Sequence, residues 1–160
     1  MPDHSAVNLV KNFYDAFICR DYRLMQNMYH KDAVFNDPVF HNLNAQQVGA
    51  MWEMFCVNSR DLDISYRILS ADLHNVCAEW VAVYSFGKKR HKVKNIIQAS
   101  LIFEDGKIIR HTDNFDLYSW TKQAFGFTGF LLGWSSIFQN KVREKAMQTL
   151  TEYIRKNSAI

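Results

Sequence analysis

His111 and Asp113 stand two positions apart and carry the clearest chemical signal in the sequence. In a β-strand, side chains at this spacing leave the same face, with their backbones roughly 6.5–7 Å apart. Ile109 and Phe115 fall on that face too, so we expect the pair to point into an apolar interior. A histidine beside a carboxylate in such surroundings suits general acid–base chemistry near neutral pH. The alternative is a buried, hydrogen-bonded pair with a purely structural role.

Asp37 is a second candidate for acid–base chemistry. It precedes Pro38, an arrangement that is also typical of the start of a turn, so a pocket role and a turn role both stay open. Tyr84 and Asn95 are expected to face the same interior as Asp113 and to orient a ligand through hydrogen bonds. For Asn95, pairing with backbone groups near a strand end is the alternative.

Helices are predicted at both ends of the chain. Apolar residues at helical spacing indicate a helix over about residues 5–20 and a long amphipathic helix over about residues 136–156. Asp21 is expected to cap a short second helix that extends to Tyr29. A capping box at Asn44 opens a third helix.

Strands are predicted between these helices. A short strand is expected over residues 33–38, where a proline ends it. Alternating apolar and polar residues then predict four more strands, over about residues 62–68, 76–86, 93–103 and 107–117. Asp105-Gly106 is a strong signal for a two-residue hairpin turn between the last two. This order of elements predicts one α+β domain over residues 1–160, in which residues 119–158 form a helical extension.

Composition excludes several classes of protein. The chain has 160 residues and a formal net charge of +3, which is too weak to indicate nucleic-acid binding. Its three cysteines, Cys19, Cys56 and Cys77, are widely spaced and fit neither a disulfide framework nor a zinc site. Together with an N-terminus that lacks a signal-peptide pattern, they predict a cytoplasmic protein. We find no sequence signature of a metal or cofactor site and expect neither.

Two further segments have a simple interpretation. Residues 88–92 are basic but lack interleaved aromatics, so a solvated hairpin tip is expected. Residues 124–134 carry no charge, and eleven residues are too few for a membrane span of about 20. We expect this second segment to cover the mouth of a pocket or a subunit interface, with peripheral membrane contact as the alternative.

The element order, together with residues 32–39 and 103–116, resembles the nuclear transport factor 2-like superfamily over about residues 5–118. That superfamily includes ketosteroid isomerase, limonene-epoxide hydrolase and the SnoaL-like polyketide cyclases. The resemblance implies a barrel-like α+β fold in which a curved antiparallel sheet forms a cone-shaped apolar pocket, closed by the N-terminal helices. It also implies a homodimer that packs through the outer face of the sheet.

Only some of the catalytic residues of each relative have counterparts in this chain. Asp37 matches the proton-shuttling aspartate of ketosteroid isomerase, but Phe13 and Ala99 occupy the positions of its two oxyanion donors, and neither can donate. Tyr14, next to Phe13, is a partial substitute. Residues 80–82 replace the Arg-x-Asp of the epoxide hydrolase.

The SnoaL-like cyclases use a His-x-Asp element that His111 and Asp113 match, so most of the chemistry of this relative is retained. The resemblance therefore implies a cofactor-independent isomerase- or cyclase-like enzyme that transfers a proton on a small apolar carbonyl-containing substrate. Its catalytic residues would be Asp113, His111 and Asp37. The expected substrate-binding residues are Tyr14, Trp52, Phe55, Tyr84, Asn95 and Phe115. The alternative is a non-catalytic module of the same fold that binds an apolar ligand or serves as a scaffold.

Overall fold

A computed structural model describes residues 4–158, which form six helices and five strands. In chain order these elements are α1 (His4–Ile18), α2 (Tyr22–Asn27), β1 (Tyr29–Asn36), α3 (Ala45–Asn58), β2 (Asp63–Ala71), β3 (Asn75–Phe86), β4 (His91–Glu104), β5 (Lys107–Asn114), α4 (Leu117–Phe125), α5 (Phe127–Leu132) and α6 (Ser136–Asn157). The predicted α+β order, with strands between two groups of helices, is confirmed.

Side-chain caps and a tight turn fix where several of these elements begin. Asp21 caps α2 by accepting a hydrogen bond from the backbone of Leu24. Asn44 and Gln47 form the predicted capping box at the start of α3, which satisfies backbone donors that a helix N-terminus leaves unpaired. At the β4–β5 turn, Asp105 and Gly106 both have positive φ, of 50° and 72°, as the predicted two-residue hairpin turn requires.

The five strands form one sheet in the order β1-β5-β4-β3-β2. Strands β2 to β5 make the predicted antiparallel meander. Strand β1 pairs in parallel with β5, so the sheet is mixed rather than wholly antiparallel. Because β1 and β2 are separate edges, the sheet is open and does not close into a barrel.

Strand β1 begins earlier than the sequence indicates. Tyr29, expected on the second helix, is the first residue of this strand, and its side chain is buried against the sheet. Ala33 and Phe35 follow the alternating pattern of a strand, but the polar run from His30 to Asp32 interrupts this pattern before it reaches Tyr29. The pairing of β1 with β5 is also irregular between Tyr29 and Val34, which lets the polar run stay on the outside.

A second local irregularity lies in β5. Ile109 was expected to share a face with His111, but the register of β4 against β5 shifts between Ile102 and Phe103, and Phe103 pairs with Ile108. Ile108 is therefore the residue that is fully buried, while Ile109 is only partly buried. Such a bulge adds one residue to a strand and reverses the facing of those on one side of it.

The C-terminal helices pack on the meander and on α3. Helices α4 and α5 lie very close together at Gly129 and Gly133, where a Cβ atom would clash with Thr121. Helix α6 packs against α3, and its Leu150 is fully buried in the core. Within residues 4–158, no helix is both long and apolar enough to cross a membrane.

Candidate functional site

An apolar cavity of about 410 Å³ lies between the inner face of the sheet, α3 and α6. Much of its wall is aromatic or aliphatic, with contributions from Phe35, Met51, Trp52, Phe55, Ile97 and Phe125. Four of the polar groups predicted to matter also line it: Asp37, Tyr84, Asn95 and Asp113. A few polar groups converging on an apolar cavity of this size are typical of small-molecule sites.

Asp113 lies at the cavity wall with His111 directly behind it. The Nε2 atom of His111 is 3.0 Å from Oδ1 of Asp113, and the two side chains are 0% and 3% exposed. The indole N–H of Trp80 donates to the same carboxylate oxygen at 3.4 Å. Both predicted partners are therefore together, but only Asp113 reaches the cavity.

A chain of hydrogen bonds behind His111 fixes which of its nitrogens carries the proton. The indole N–H of Trp52 donates to the Tyr29 hydroxyl at 2.9 Å, and that hydroxyl is 2.7 Å from Nδ1 of His111. A carboxylate at Asp113 can only accept at Nε2, so Nδ1 of a neutral His111 is the acceptor and the Tyr29 hydroxyl donates to it. A neutral His111 then carries its proton on Nε2 and donates it to Asp113. Tyr29 was not among the predicted site residues, because the polar run from His30 to Asp32 interrupts the alternation that would have placed it on the inner face of β1.

Aromatic rings enclose His111. Phe13 and Phe35 contact it edge-on, with ring centroids 5.6 Å and 5.1 Å away, and Trp52 stacks on it at 6.0 Å. Phe13 thus packs on the histidine and offers it no hydrogen bond. The ring is held in one orientation and has no contact with solvent.

Asp37 combines the two roles that the sequence left open. Its Oδ1 accepts hydrogen bonds from the backbone of Val39 and of Phe40, each at 2.6 Å, which makes a tight turn after β1. The same side chain lines the cavity. Burial raises the pKa of Asp37 to about 7, although the two backbone hydrogen bonds oppose the rise, and the negative charge of Asp113 adds to it. Asp37 can therefore exchange a proton near neutral pH.

Tyr84 faces the cavity close to Asp37. Its hydroxyl accepts a hydrogen bond from the indole N–H of Trp120 at 2.8 Å, which leaves its own proton to donate to another group. Burial raises the pKa of Tyr84, and the charge of Asp37 contributes to the rise, so the phenol stays protonated. Asn95 lies on the neighbouring strand and supplies an amide to the same wall.

The remaining predicted binding residues separate into two groups. Trp52, Phe55 and Phe115 line the cavity. Tyr14 does not: it is fully buried, stacks on Tyr66 with centroids 5.0 Å apart, and its hydroxyl has no hydrogen-bond partner among residues 4–158. The structure therefore does not place Tyr14 where it would touch a ligand in the cavity.

The expected cover of the pocket also differs. Of residues 124–134, only Phe125 lines the cavity. The wall on that side comes instead from α6, through Val142, Ala146 and Thr149. Helical periodicity identified α6 as amphipathic but could not say which part of the molecule its apolar face would meet.

The arrangement offers two carboxyl groups with different surroundings on one apolar cavity. The Asp113 carboxyl is hydrogen-bonded to the side chains of His111 and Trp80, whereas burial raises the pKa of Asp37. Pairs of groups whose environments differ in this way are suited to acting as base and acid. Among residues 4–158, no three His, Cys, Asp or Glu side chains cluster closely enough to hold a metal ion.

Comparison with solved structures gives the same fold at low sequence identity. A protein from Silicibacter sp., provisionally assigned as a polyketide cyclase, is 16% identical, with a TM-score of 0.66 over 77% of this chain and 97% of the other. An epoxide hydrolase from M. tuberculosis, similar to limonene-epoxide hydrolase, is 18% identical, with a TM-score of 0.61 over 81% and 97%. TerC, co-crystallised with polyporic acid, is 15% identical, with a TM-score of 0.62 over 76% and 99%.

A search of the curated proteins found no match. The scan against family models matched the SnoaL-like domain over residues 10–111. The matched region begins within α1 and ends within β5, and it includes Asp37, Tyr84, Asn95 and His111. By this match, which covers more than half of its length, the chain belongs to the SnoaL-like family, with the nuclear transport factor 2-like fold.

Proposed function

We propose that this protein is a cofactor-independent enzyme that moves a proton on a small, apolar, carbonyl-containing substrate. The observation that carries the proposal is the Asp113 carboxylate, which lies on an apolar cavity and is backed by His111, Tyr29 and Trp52. A cavity of about 410 Å³ suits a small organic molecule. Isomerisation and ring closure both belong to this reaction class.

In the proposed mechanism, Asp113 is the base. A C–H bond next to the substrate carbonyl breaks, its proton passes to Asp113, and its electron pair forms the enolate double bond. His111 donates to Oδ1 of Asp113 and so orients the carboxylate, which leaves Oδ2 to take the proton. An apolar, water-poor wall strengthens these hydrogen bonds because little solvent competes with them.

The enolate oxygen needs a donor, and here the chain departs from ketosteroid isomerase. Phe13 and Ala99 carry no donor group, so the donors in this proposal are the Tyr84 hydroxyl and the Asn95 amide on the cavity wall. Asp37, with a pKa near 7, then returns a proton to the substrate or accepts one from it. Oriented donors at a developing oxyanion commonly account for the largest part of such catalysis.

Solvent exchange tests this proposal without knowledge of the true substrate. The protein is incubated in D₂O with a panel of small cyclic and aromatic ketones and β-dicarbonyl compounds, and loss of the α-proton is followed by NMR. We expect exchange above the uncatalysed rate for at least one compound, and its loss in Asp113→Asn. Asp63→Asn is the matched control, since Asp63 is an exposed residue at the start of β2.

A second candidate is a non-catalytic module that binds an apolar ligand. It is favoured by the apolar lining of the cavity and by the replacement of two family donors by Phe13 and Ala99. It also accords with TerC, a protein of the same fold that was co-crystallised with polyporic acid. Binding of panel compounds without exchange for any of them would favour this candidate over the enzyme.

The proposal extends to the whole protein. Residues 1–160 form a single domain with a helical extension over 119–158, and two copies form a homodimer through the outer face of the sheet. Free thiols at Cys19, Cys56 and Cys77 support a cytoplasmic location.

A further inference from the structure

Helix α5 and the residues after it expose six large apolar side chains. These residues are between 48% and 75% exposed and are called the apolar ridge here: Phe127, Phe130, Leu131, Leu132, Trp134 and Ile137. Within α5, Phe127, Phe130 and Leu131 follow helical spacing, so they share one side. Large exposed apolar patches on a folded protein usually mark an interaction site.

The ridge is held outward by its packing on α4. Gly129 and Gly133 lie against Thr121, so the opposite side of α5 carries the large residues. The Tyr118 hydroxyl donates to the carbonyl of Phe130 at 3.0 Å, which ties the two helices together. The indole N–H of Trp134 donates to the carbonyl of Leu131 at 2.9 Å, so this ring can enter an apolar phase without losing a hydrogen bond to water.

A basic hairpin borders the ridge. The β3–β4 turn carries exposed Lys88 and Lys89, and it contacts the end of α4, where Nδ1 of His91 is 2.9 Å from the Ala124 carbonyl oxygen. Gly126, which immediately precedes the ridge, lies close to the ring of the same histidine. Residues 87–103 and 117–143 together contain eight Lys and Arg residues and no Asp or Glu.

We propose that the apolar ridge and the basic hairpin form one docking surface for an anionic lipid bilayer. Proteins bind such a surface through two features, and both are present here. Apolar side chains insert between the headgroups, and clustered cations are attracted to the negative charge of the headgroups. This inference goes beyond the proposed function, because it concerns a surface that the catalytic residues do not share.

Charge argues for a lipid surface over a second copy of the chain. A two-fold interface through the ridge would bring the same patch of both subunits together. Lys88 and Lys89 of both subunits would then border one interface to which residues 87–103 and 117–143 bring no Asp or Glu, and like charges at one interface oppose association. An anionic surface complements the same hairpin.

Vesicle co-sedimentation tests the proposal. The full chain is mixed with vesicles of phosphatidylcholine alone or with about one third phosphatidylserine. We expect binding to the anionic vesicles, weakening as salt is raised, and much weaker binding to the neutral ones. Absence of binding to the anionic vesicles, or equal binding to both kinds, would overturn the proposal.

Two pairs of variants assign the binding to this surface. Lys88→Gln with Lys89→Gln should weaken binding by about fivefold per lysine, and it leaves intact the contacts of Arg90 and Lys92 with Asp61. Arg155→Gln with Lys156→Gln, in the last turn of α6, removes the same charge elsewhere and should leave binding unchanged.

Phe127→Ser should weaken binding by roughly tenfold, because one large apolar side chain leaves the lipid. Leu73→Ser is its control, since Leu73 is 62% exposed but lies beyond the opposite end of β3 from the basic hairpin. If Phe127→Ser and the lysine pair bind vesicles as the wild type does, the surface is wrongly assigned. If Phe127→Ser instead abolishes a dimer seen by sedimentation and no vesicles are bound, the ridge is a subunit interface and the proposal fails.

Discussion

At the scale of single residues, the buried groups around His111 differ in whether their hydrogen bonds are satisfied. Tyr29 accepts from Trp52 and donates to His111, whereas the Tyr14 hydroxyl has no partner among the described residues. Both tyrosines are buried, so each hydroxyl gave up water on folding. Removal of a satisfied buried hydroxyl costs stability, and removal of an unsatisfied one does not.

Tyr29→Phe and Tyr14→Phe are therefore a matched pair. We expect Tyr29→Phe to lower the free energy of unfolding by about 1–3 kcal/mol, because Trp52 and His111 each lose a partner. Tyr14→Phe should leave the free energy of unfolding unchanged or raise it by about 1 kcal/mol. Urea unfolding measures both. A larger loss in Tyr14→Phe than in Tyr29→Phe would contradict this account of the network.

Asp37 makes stability depend on pH. Burial raises its pKa from 3.8 to about 7 in the folded protein, so between those values the folded state binds more protons than the unfolded state. The extra proton on Asp37 stabilises the folded protein at low pH. This contribution to the free energy of unfolding is lost as pH rises from about 4 to about 7, and none of it remains above pH 7.

Asp37→Asn removes this titration and can still accept the hydrogen bonds from Val39 and Phe40. The shift is about three pKa units, each worth about 1.4 kcal/mol, so the free energy of unfolding of the variant should rise relative to that of the wild type by on the order of 4 kcal/mol between pH 4 and pH 8. Urea unfolding at a series of pH values measures the difference. A difference that does not change with pH would mean that Asp37 keeps an ordinary pKa in the folded protein.

At the scale of elements, the close contact of α4 and α5 depends on two glycines. A Cβ atom at Gly129 would lie 1.9 Å from the backbone oxygen of Thr121, which cannot move without disturbing α4. At Gly49, inside α3, a Cβ atom would meet only the flexible side chain of Gln26, at 3.1 Å.

Gly129→Ala should accordingly lower the free energy of unfolding by about 2 kcal/mol or more, because the two helices must separate. Gly49→Ala should be neutral or stabilising by up to about 1 kcal/mol, since alanine favours a helix. Thermal unfolding of the two variants measures the contrast. Equal effects would show that the α4–α5 contact contributes little to stability.

The parts of this fold that alternation and caps encode could be predicted from the sequence. Those signals located the meander, the caps at Asp21 and Asn44, and the shared face of His111 and Asp113. They could not show that β1 starts at Tyr29, because the polar run after Tyr29 interrupts the pattern. Nor could they show that α6 forms one wall of the cavity, because contacts between elements that are distant in the sequence leave no periodic pattern in either element.

At the scale of the whole molecule, the outer face of the sheet is the expected dimer contact. Ile96 lies there, between inward-facing Asn95 and Ile97, and is 51% exposed. We expect a homodimer by sedimentation at micromolar concentration and a shift toward monomer in Ile96→Glu, because a charge would be buried between the subunits. Leu73→Glu, at an exposed turn, is the control. A wild-type monomer would reject the dimer.

The chemistry assigned to the cavity depends on which carboxyl group takes the substrate proton. Asp113 is held by His111 and Trp80, whereas Asp37 is tied to the backbone of its own turn. The first arrangement suits a base at a fixed position. The second suits a group that gains or loses a proton as the reaction proceeds.

Side-by-side exchange rates of Asp113→Asn and Asp37→Asn, on a panel compound that the wild type turns over, test this assignment most directly. We predict that Asp113→Asn loses roughly 10²–10⁴-fold in rate, as is typical when an acid–base group is removed, while circular dichroism shows an intact fold. Asp37→Asn should lose less. If Asp37→Asn is inactive and Asp113→Asn keeps a near-normal rate, the proton is taken by Asp37 and the central claim is wrong.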